Sequence, residues 1–220
     1  MVQVKKIGVG EKPVKKVDWG EYRRLFPDQY FRHSEFDSIV KTCLLEEAVA
    51  GKVVRVLDVG GGVLGTQALQ GVHTQVWSLD PNVEYAPMGA TKVEWRDLGT
   101  REYDFVVARG SFNYLTELEI RALRVSLVLG GTLLFNTFVL PKEITRPFSN
   151  IAKSIYGVER TVVNRELGLI EHELETPDAI YRHTFNFHSL EHLVELLGAR
   201  GLSFHFSGAN SLAVKSQRLA

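Results

Sequence analysis

The sequence is short of cysteine, of long apolar runs and of net charge, and each shortage excludes a class of protein. Cys43 is the only cysteine in the 220 residues, so no disulfide can form within the chain and a reducing compartment is the simpler setting. No stretch approaches the roughly 20 consecutive apolar residues of a membrane span, and the N-terminus has no apolar segment of the secretory kind. Lys plus Arg and Asp plus Glu both total 26, which argues against wholesale electrostatic binding to nucleic acid. We therefore expect a cytoplasmic globular protein with no membrane partner.

The chain is long enough for one well-packed domain and short for two full ones. We expect an N-terminal arm over residues 1–33 and one domain over residues 34–220, with a polar, proline-punctuated insert at 141–186. Over the first 24 positions, basic residues outnumber acidic ones, at 5, 6, 12, 15, 16, 23 and 24 against 11, 18 and 21. A solvated arm and an arm that contacts RNA both fit this charge, and the aromatic stretch at 21–33 could close over a cleft as a lid.

Short apolar runs alternate with amphipathic segments along most of the chain. The patterns predict buried strands at 53–59, 74–80, 92–98, 103–109 and 132–140, and helices at 34–51, 115–128 and 189–201. The last two runs, LSFHF and SLAVKS, are joined by SGAN and predict a hairpin that adds an antiparallel strand. The expected fold is therefore α/β, with a doubly wound, mostly parallel seven-stranded sheet and an antiparallel C-terminal strand. Within the insert we expect one helix near SNIAKSIYG.

The stretch VLDVGGGVLGT at 56–66 places glycines directly after a buried strand. Glycines there let backbone N–H groups approach a ligand, and the following helix would point its positive end at that ligand. Two kinds of nucleotide site fit the turn, because GGGVLG matches the dinucleotide pattern, while Asp58 ahead of Gly60, Gly61 and Gly62 suits a cationic cofactor. A carboxylate before the turn would repel a pyrophosphate. Asp80, at the end of the second strand, is placed to accept hydrogen bonds from a ribose in either case.

These residues and their order resemble the class I S-adenosylmethionine-dependent methyltransferases. VLDVGGG resembles the first motif of that family, SLD at 78–80 its second-strand acid, and WRDL at 95–98 its third-strand motif. YDFVVARGSFNYL and LVLGGTLLF resemble its fourth and fifth strands. The resemblance implies a Rossmann-like methyltransferase fold with S-adenosylmethionine as cofactor. The residues expected to bind it are Asp58, Gly60, Gly61, Gly62, Asp80, Asp97, Leu98 and Arg109, with a salt bridge as the alternative role of Arg109.

The sequence departs from that family at three places and leaves other functions open. Leu64 stands where the third glycine of the motif falls, PNVEYAPMGAT after Asp80 has two prolines and predicts a loop instead of a regular helix, and Leu129 replaces the usual proline before Gly130. Leu64 and the missing helix make a methyltransferase-like binding subunit without activity one alternative. A nicotinamide-dependent oxidoreductase is another, although its Tyr-x-x-x-Lys motif is not found in a suitable context.

Candidates for the chemistry itself follow the fourth strand and the insert. Asn113 and Tyr114 come after the fourth strand, where ligands meet an open α/β sheet, and His183 and His188 flank the return from the insert. Either imidazole could act as a general base, or be a structural group satisfied by the backbone. No pair of histidines has a convincing metal spacing. We expect an O- or N-methyltransferase for a small molecule, with RNA as the alternative acceptor; the oligomeric state is not indicated.

Overall fold

The computed structural model of the chain describes residues 12–17, 34–48, 51–61, 69–71, 73–80, 90–100, 102–138, 148–154, 156–164, 168–198, 200–206 and 211–219. Its strands are β1 (Val14–Lys16), β2 (Val54–Val59), β3 (Thr74–Leu79), β4 (Thr91–Lys92), β5 (Tyr103–Ala108), β6 (Leu127–Phe138), β7 (Phe148–Ser154), β8 (Gly157–Asn164), β9 (Leu169–Glu175), β10 (Ile180–Asn186), β11 (Leu202–Phe206) and β12 (Ser211–Gln217). Its α-helices are α1 (Ser34–Ala48), α2 (Glu117–Val125) and α3 (Leu190–Leu197). The predicted lid, Gly62 and Leu64 lie outside the described residues.

The larger sheet has seven strands in the order β11-β12-β6-β5-β2-β3-β4. Neighbouring strands from β6 to β4 pair in parallel, whereas β12 runs antiparallel to both β6 and β11. The chain builds outward from β2 through β3 to β4, and then crosses back to place β5 and β6 on the other side of β2. The predicted fold class is therefore confirmed, including the antiparallel strand at the C-terminus.

Apolar layers cover both faces of this sheet. One layer packs α1, through Phe36 and Val40, against alternate residues of the strands such as Phe105. The other packs α2 and α3, through Leu123 and Leu193, against the intervening residues. Side chains alternate between the two faces of a strand, so the central strands need apolar residues on both faces for this three-layer arrangement. Cys43 lies in the first layer, where burial raises the pKa of its thiol.

Two of the predicted helix starts are formed by side-chain caps. Thr116 precedes α2 and makes a reciprocal capping box with Glu119, which satisfies backbone N–H groups that have no partner within the helix. Ser189 precedes α3 and accepts a hydrogen bond of 3.1 Å from the backbone N–H of His192. α3 then ends at Leu197, because Gly198 adopts a positive φ of 76°.

The predicted third strand is largely wrong. Of residues 90–100, only Thr91 and Lys92 form a strand, which pairs with β3, and residues Trp95–Thr100 form a short 3₁₀ helix. The apolar residues that suggested a strand instead serve the core from a compact turn: Val93 and Leu98 are both 2% exposed. Alternation over a few residues does not distinguish a strand from a tight helical turn.

The predicted helix in the insert is also wrong, because this region forms a second sheet. Its order is β1-β10-β9-β8-β7, with β7 to β10 antiparallel and β1 parallel to β10. β7 turns back into β8 at Gly157, where a Cβ would lie 2.0 Å from the backbone oxygen of Glu175. A close approach of this kind explains why glycine is needed there. β1 belongs to the predicted arm and extends this sheet.

None of the helices among the described residues is long and apolar enough to cross a membrane.

Candidate active site

The carboxyl ends of the parallel strands meet at one edge of the larger sheet. Val59 at the end of β2 lies opposite Leu79 at the end of β3, and the N–H of Gly60 donates to the oxygen of Leu79 over 2.9 Å. The hydroxyl of Ser111, from the segment after β5, donates to the oxygen of Val59. The ends of β2, β3 and β5 are thus joined by hydrogen bonds, and this is the edge at which open α/β sheets bind ligands.

The glycine turn closes over a buried carboxylate. Asp58 is 1% exposed, and a Cβ on Gly61 would lie 2.1 Å from its Oδ2. Gly60 adopts a φ of 66°, and a Cβ there would lie 2.6 Å from the Cβ of Ser111. Each of these two positions therefore requires glycine for a geometric reason. A carboxylate directly beneath the turn also disfavours a phosphate group in the same place.

Asp80 follows β3 by one residue and is half-buried at the same edge. Since Leu79 is opposite Val59, Asp80 and Gly60 follow neighbouring positions of adjacent strands. This is the relation that the sequence predicted between the ribose acid and the glycine turn. The sheet therefore brings Asp58, Gly60, Gly61 and Asp80 to one place, while their contact with a cofactor stays a prediction.

Asp97 and Leu98 lie on the 3₁₀ helix rather than on a strand. The backbone N–H of Asp97 donates to the oxygen of Glu94 over 2.9 Å, and its side chain is half-buried. The side chain of Leu98 is part of the core layer below α2. Leu98 therefore packs in the core, and a cofactor contact by Leu98 or an adenine contact by Asp97 stays a prediction.

Arg109 directly follows β5 and forms a buried ion pair with α1. Its Nη2 lies 2.8 Å from Oδ1 of Asp37, and only 7% of the Arg109 side chain is exposed. The salt bridge, which was the alternative expected for this residue, is therefore present. It fastens the start of α1 to the ligand edge of the sheet. A cofactor contact by Arg109 stays a prediction.

Asn113 connects the ligand edge to the second sheet. Its Nδ2 donates to Oγ1 of Thr137 over 3.1 Å and to the backbone oxygen of Asn186, at the end of β10, over 2.7 Å. In return, Nδ2 of Asn186 donates to the oxygen of Leu115 over 3.3 Å. Asn113 is 2% exposed, so its buried amide links the larger sheet to the second sheet. The sequence did not indicate Asn186 or Thr137, because neither carries a recognisable motif.

Tyr114 and His183 meet where the second sheet approaches this edge. Their ring centroids are 6.2 Å apart, and Phe185 lies 5.7 Å from Tyr114 and 5.6 Å from His183. Both Tyr114 and His183 line a cavity of about 390 Å³ that also borders β1 and Arg182. Burial, followed by the neighbouring His172, lowers the pKa of His183 to about 3. The ring is therefore a neutral hydrogen-bond acceptor throughout the physiological range.

His188 lies apart from that cavity. It is 5% exposed, packs edge-on against Phe112 at 5.4 Å, and stacks on His192 at 5.3 Å. Burial, then His192, lowers its pKa to about 4, while Glu117 opposes that shift. Within the described parts of the chain, no hydrogen-bond partner is found for its Nε2. The geometry thus separates the two histidines that the sequence grouped as candidate bases, and a catalytic role for either stays a prediction.

No group of three His, Cys, Asp or Glu side chains among the described residues is arranged to hold a metal ion.

Comparison with known proteins finds similarity in structure only. No protein-family model matches the sequence, and no curated protein sequence matches it either. Among solved structures, the PH0226 protein from Pyrococcus horikoshii OT3 aligns with a TM-score of 0.60 at 19% identity, over 90% of this chain and 98% of that chain.

Two further solved structures carry descriptions of their activity. An S-adenosylmethionine-dependent methyltransferase from Clostridium acetobutylicum ATCC 824 aligns with a TM-score of 0.59 at 14% identity, over 91% of this chain and 97% of that one. CalS10 from Micromonospora echinaspora, an amino pentose methyltransferase solved with S-adenosylmethionine bound, gives 0.56 at 17% identity, over 93% and 99%. At these identities the comparison identifies a fold. The chain has the fold of the class I S-adenosylmethionine-dependent methyltransferases.

Proposed function

We propose that this protein is an S-adenosylmethionine-dependent methyltransferase that acts on an oxygen or nitrogen atom of a small molecule. The observation that carries the proposal is the glycine turn after β2, which closes over buried Asp58 while Asp80 follows the adjacent strand. The carboxylate under the turn suits a cofactor with cationic groups and no phosphate. The acid on the next strand suits a ribose.

The residues at this edge fit such a cofactor. Gly60 and Gly61 leave a turn without side chains on the ligand side of Asp58, and we assign Gly62 to the same turn from the sequence. Asp80 would accept hydrogen bonds from the ribose hydroxyls, and Asp97, beside buried Leu98, would face the adenine. When bound, S-adenosylmethionine supplies a methyl group activated by a sulfonium centre.

The acceptor would lie between the ligand edge and the second sheet. Tyr114 and His183 line the cavity there, and buried Asn113 fixes the segment that carries Tyr114. Alignment of the two reactants accounts for most of the catalysis that a methyl transfer needs. These side chains would orient the acceptor and exclude water. The ion pair of Arg109 and the packed ring of His188 would support the walls of the site.

Two kinds of observation support a small-molecule acceptor. The cavity of about 390 Å³ is of the size that small ligands occupy. In addition, CalS10, which has the same fold, is described as an amino pentose methyltransferase. An amine or hydroxyl on a compact molecule is therefore the acceptor that we would test first, with glucosamine, phenol and catechol as probes.

The identity of the cofactor can be tested by ligand binding. S-adenosylmethionine and S-adenosylhomocysteine should each raise the melting temperature of the purified chain, and NAD should not. Asp80→Ala should weaken S-adenosylhomocysteine binding at least about tenfold in calorimetry, since it removes a charged hydrogen-bond acceptor. Asp178→Ala, in an exposed turn of the second sheet, is the matched control and should bind as the unaltered protein does.

The outcomes separate the alternatives. Stabilisation by NAD alone would overturn the proposal in favour of an oxidoreductase. Stabilisation by none of the three compounds would favour a binding subunit. Methyl transfer to a short RNA, with none to the small-molecule probes, would retain the cofactor and reject the acceptor class.

A further inference from the structure

Three polar side chains form a row across the second sheet. Glu159 on β8, His172 on β9 and His183 on β10 share the face of the sheet that is turned toward the ligand edge, because His172 pairs with both Thr161 and His183 in register. Oε2 of Glu159 lies 3.6 Å from Nε2 of His172. The ring centroids of His172 and His183 are 4.9 Å apart. The row therefore continues from a carboxylate through one imidazole to a second.

One end of this row borders the cavity, and the other does not. His183 and Tyr114 both line the cavity, whereas Glu159 and His172 are not among its lining residues. The side chains of Glu159 and His172 are only 14% and 15% exposed. Keeping a carboxylate and an imidazole this far from water costs free energy unless they are paired, and their proximity to each other offsets that cost.

We infer that Glu159 and His172 are positioning residues, which hold the imidazole of His183 in place to accept a hydrogen bond from the amine or hydroxyl of the methyl acceptor. The inference rests on the proposed function, because it assigns roles at the same acceptor site. A carboxylate next to an imidazole fixes which ring nitrogen carries the proton. Glu159 would fix His172 in this way, and His172 would in turn fix the ring packed against it.

The surroundings of His183 suit a neutral acceptor of hydrogen bonds. The second sheet contributes His172 from β9 and Glu159 from β8. The segment after β5 contributes Tyr114. β1 contributes Lys15, and the Nζ of Lys15 lies 5.6 Å from the ring of Tyr181. Burial and the charge of His172 keep the pKa of His183 low. A neutral imidazole beside the Tyr114 and Phe185 rings would select an acceptor that donates a hydrogen bond and carries an apolar surface.

The test compares Glu159→Gln with Glu171→Gln. Glu171 lies next to His172 on β9 but is exposed on the opposite face, so it is a matched control. Glu159→Gln should lower kcat about tenfold with the most active of the three probes, because a misplaced positioning group costs at least that much. KM for S-adenosylmethionine and the affinity for S-adenosylhomocysteine should be unchanged. Glu159→Asp, which keeps the carboxylate, should recover most of the lost rate, and Glu171→Gln should match the unaltered protein.

A second measurement does not depend on turnover. In protein with ¹⁵N-labelled histidine, the ring nitrogen signals of His183 should change in Glu159→Gln and in His172→Gln, and stay in place in Glu171→Gln. If Glu159→Gln, like Glu171→Gln, leaves both kcat and the His183 signals as they are in the unaltered protein, the inference is wrong. Failure of S-adenosylhomocysteine to bind the unaltered protein would overturn the proposed function, while the nuclear magnetic resonance comparison would still decide whether Glu159 controls His183.

Discussion

At the scale of single residues, the end of β2 shows how a few atoms restrict the choice of side chain. Gly61 sits directly above Asp58, and Gly60 sits against Ser111. Neither glycine can be explained by turn propensity alone, because a Cβ at either position would overlap a neighbouring side chain. The carboxylate that restricts Gly61 is the same group that we propose favours a cationic cofactor. Structural and functional requirements therefore coincide at this turn.

Gly61→Ala tests that coincidence. The added Cβ would displace the buried carboxylate of Asp58, so we expect a loss of about 2 kcal/mol in the free energy of unfolding and weaker binding of S-adenosylhomocysteine. Urea denaturation and calorimetry measure the two effects. Gly99→Ala is the control, because a Cβ at Gly99 meets no atom within 4 Å. Equal stability of the two variants would contradict the packing argument.

At the scale of elements, β5 is anchored at both ends. At its amino end, buried Asp104 accepts hydrogen bonds from Lys52 over 2.6 Å and from the backbone and Nε of Arg55 over 2.8 and 3.1 Å. At its carboxyl end, the following segment is fastened by Asn113 to β10. A central strand held in this way gives the ligand edge a rigid base, which positioning of reactants requires.

Asp104→Asn should remove the anchor at the amino end. Although burial alone would raise the pKa of Asp104, the hydrogen bonds from Arg55 and Lys52 lower it below 3.8. The stabilisation is thus complete above the unfolded pKa and is lost as pH falls through the folded value. We expect a loss of about 1–2 kcal/mol at pH 7, since Asn cannot replace the charged hydrogen bonds of the buried carboxylate, while Lys52 and Arg55 are partly exposed and remain solvated.

Urea denaturation at several pH values would check this prediction. The difference between Asp104→Asn and the unaltered protein should shrink as the pH falls below 4. Asp178→Asn, in the exposed turn between β9 and β10, should change stability little at any pH. A difference for Asp104→Asn that is independent of pH would mean that packing, and not the carboxylate charge, is responsible.

At the scale of the whole molecule, two sheets meet at the candidate site, and a buried histidine lies on each side of the junction. His183 belongs to the second sheet, whereas His188 packs against Phe112 beside the larger one. Burial lowers both pKa values, to about 3 and about 4. Protonation of either ring would place an unfavourable charge where the sheets join, so the stability of the junction depends on pH.

The sign of this dependence follows from the direction of the shifts. As the pH falls below the ordinary histidine pKa of 6.5, the unfolded chain takes up protons that the folded chain does not. The stability is therefore complete above pH 6.5 and declines to about pH 4 for His188 and to about pH 3 for His183. The expected slope is about 1 kcal/mol per pH unit for each histidine. His183→Asn with His188→Asn should flatten the profile measured by urea denaturation, and His73→Asn, at an exposed position, should not.

Some features of the site could be predicted because they leave local patterns. The glycines after β2 and the acid after β3 are read from short stretches of sequence, and parallel pairing then brings them to one edge. By contrast, the surroundings of Leu98 and Arg109 could not be read from their positions next to motifs. The structure places Leu98 in the core and pairs Arg109 with Asp37, while a cofactor contact by either residue stays a prediction.

For the molecule as a whole, the amino-acid sequence by itself determined the α/β class, the mostly parallel sheet and the antiparallel last strand, because each element carries its own periodicity and caps. Only the tertiary structure decided that the insert folds as a second sheet that recruits β1. Strand pairing joins residues that are distant along the chain, and a single strand does not specify its partner. The row from Glu159 through His172 to His183 exists for the same reason: its members become neighbours only when three strands align in register.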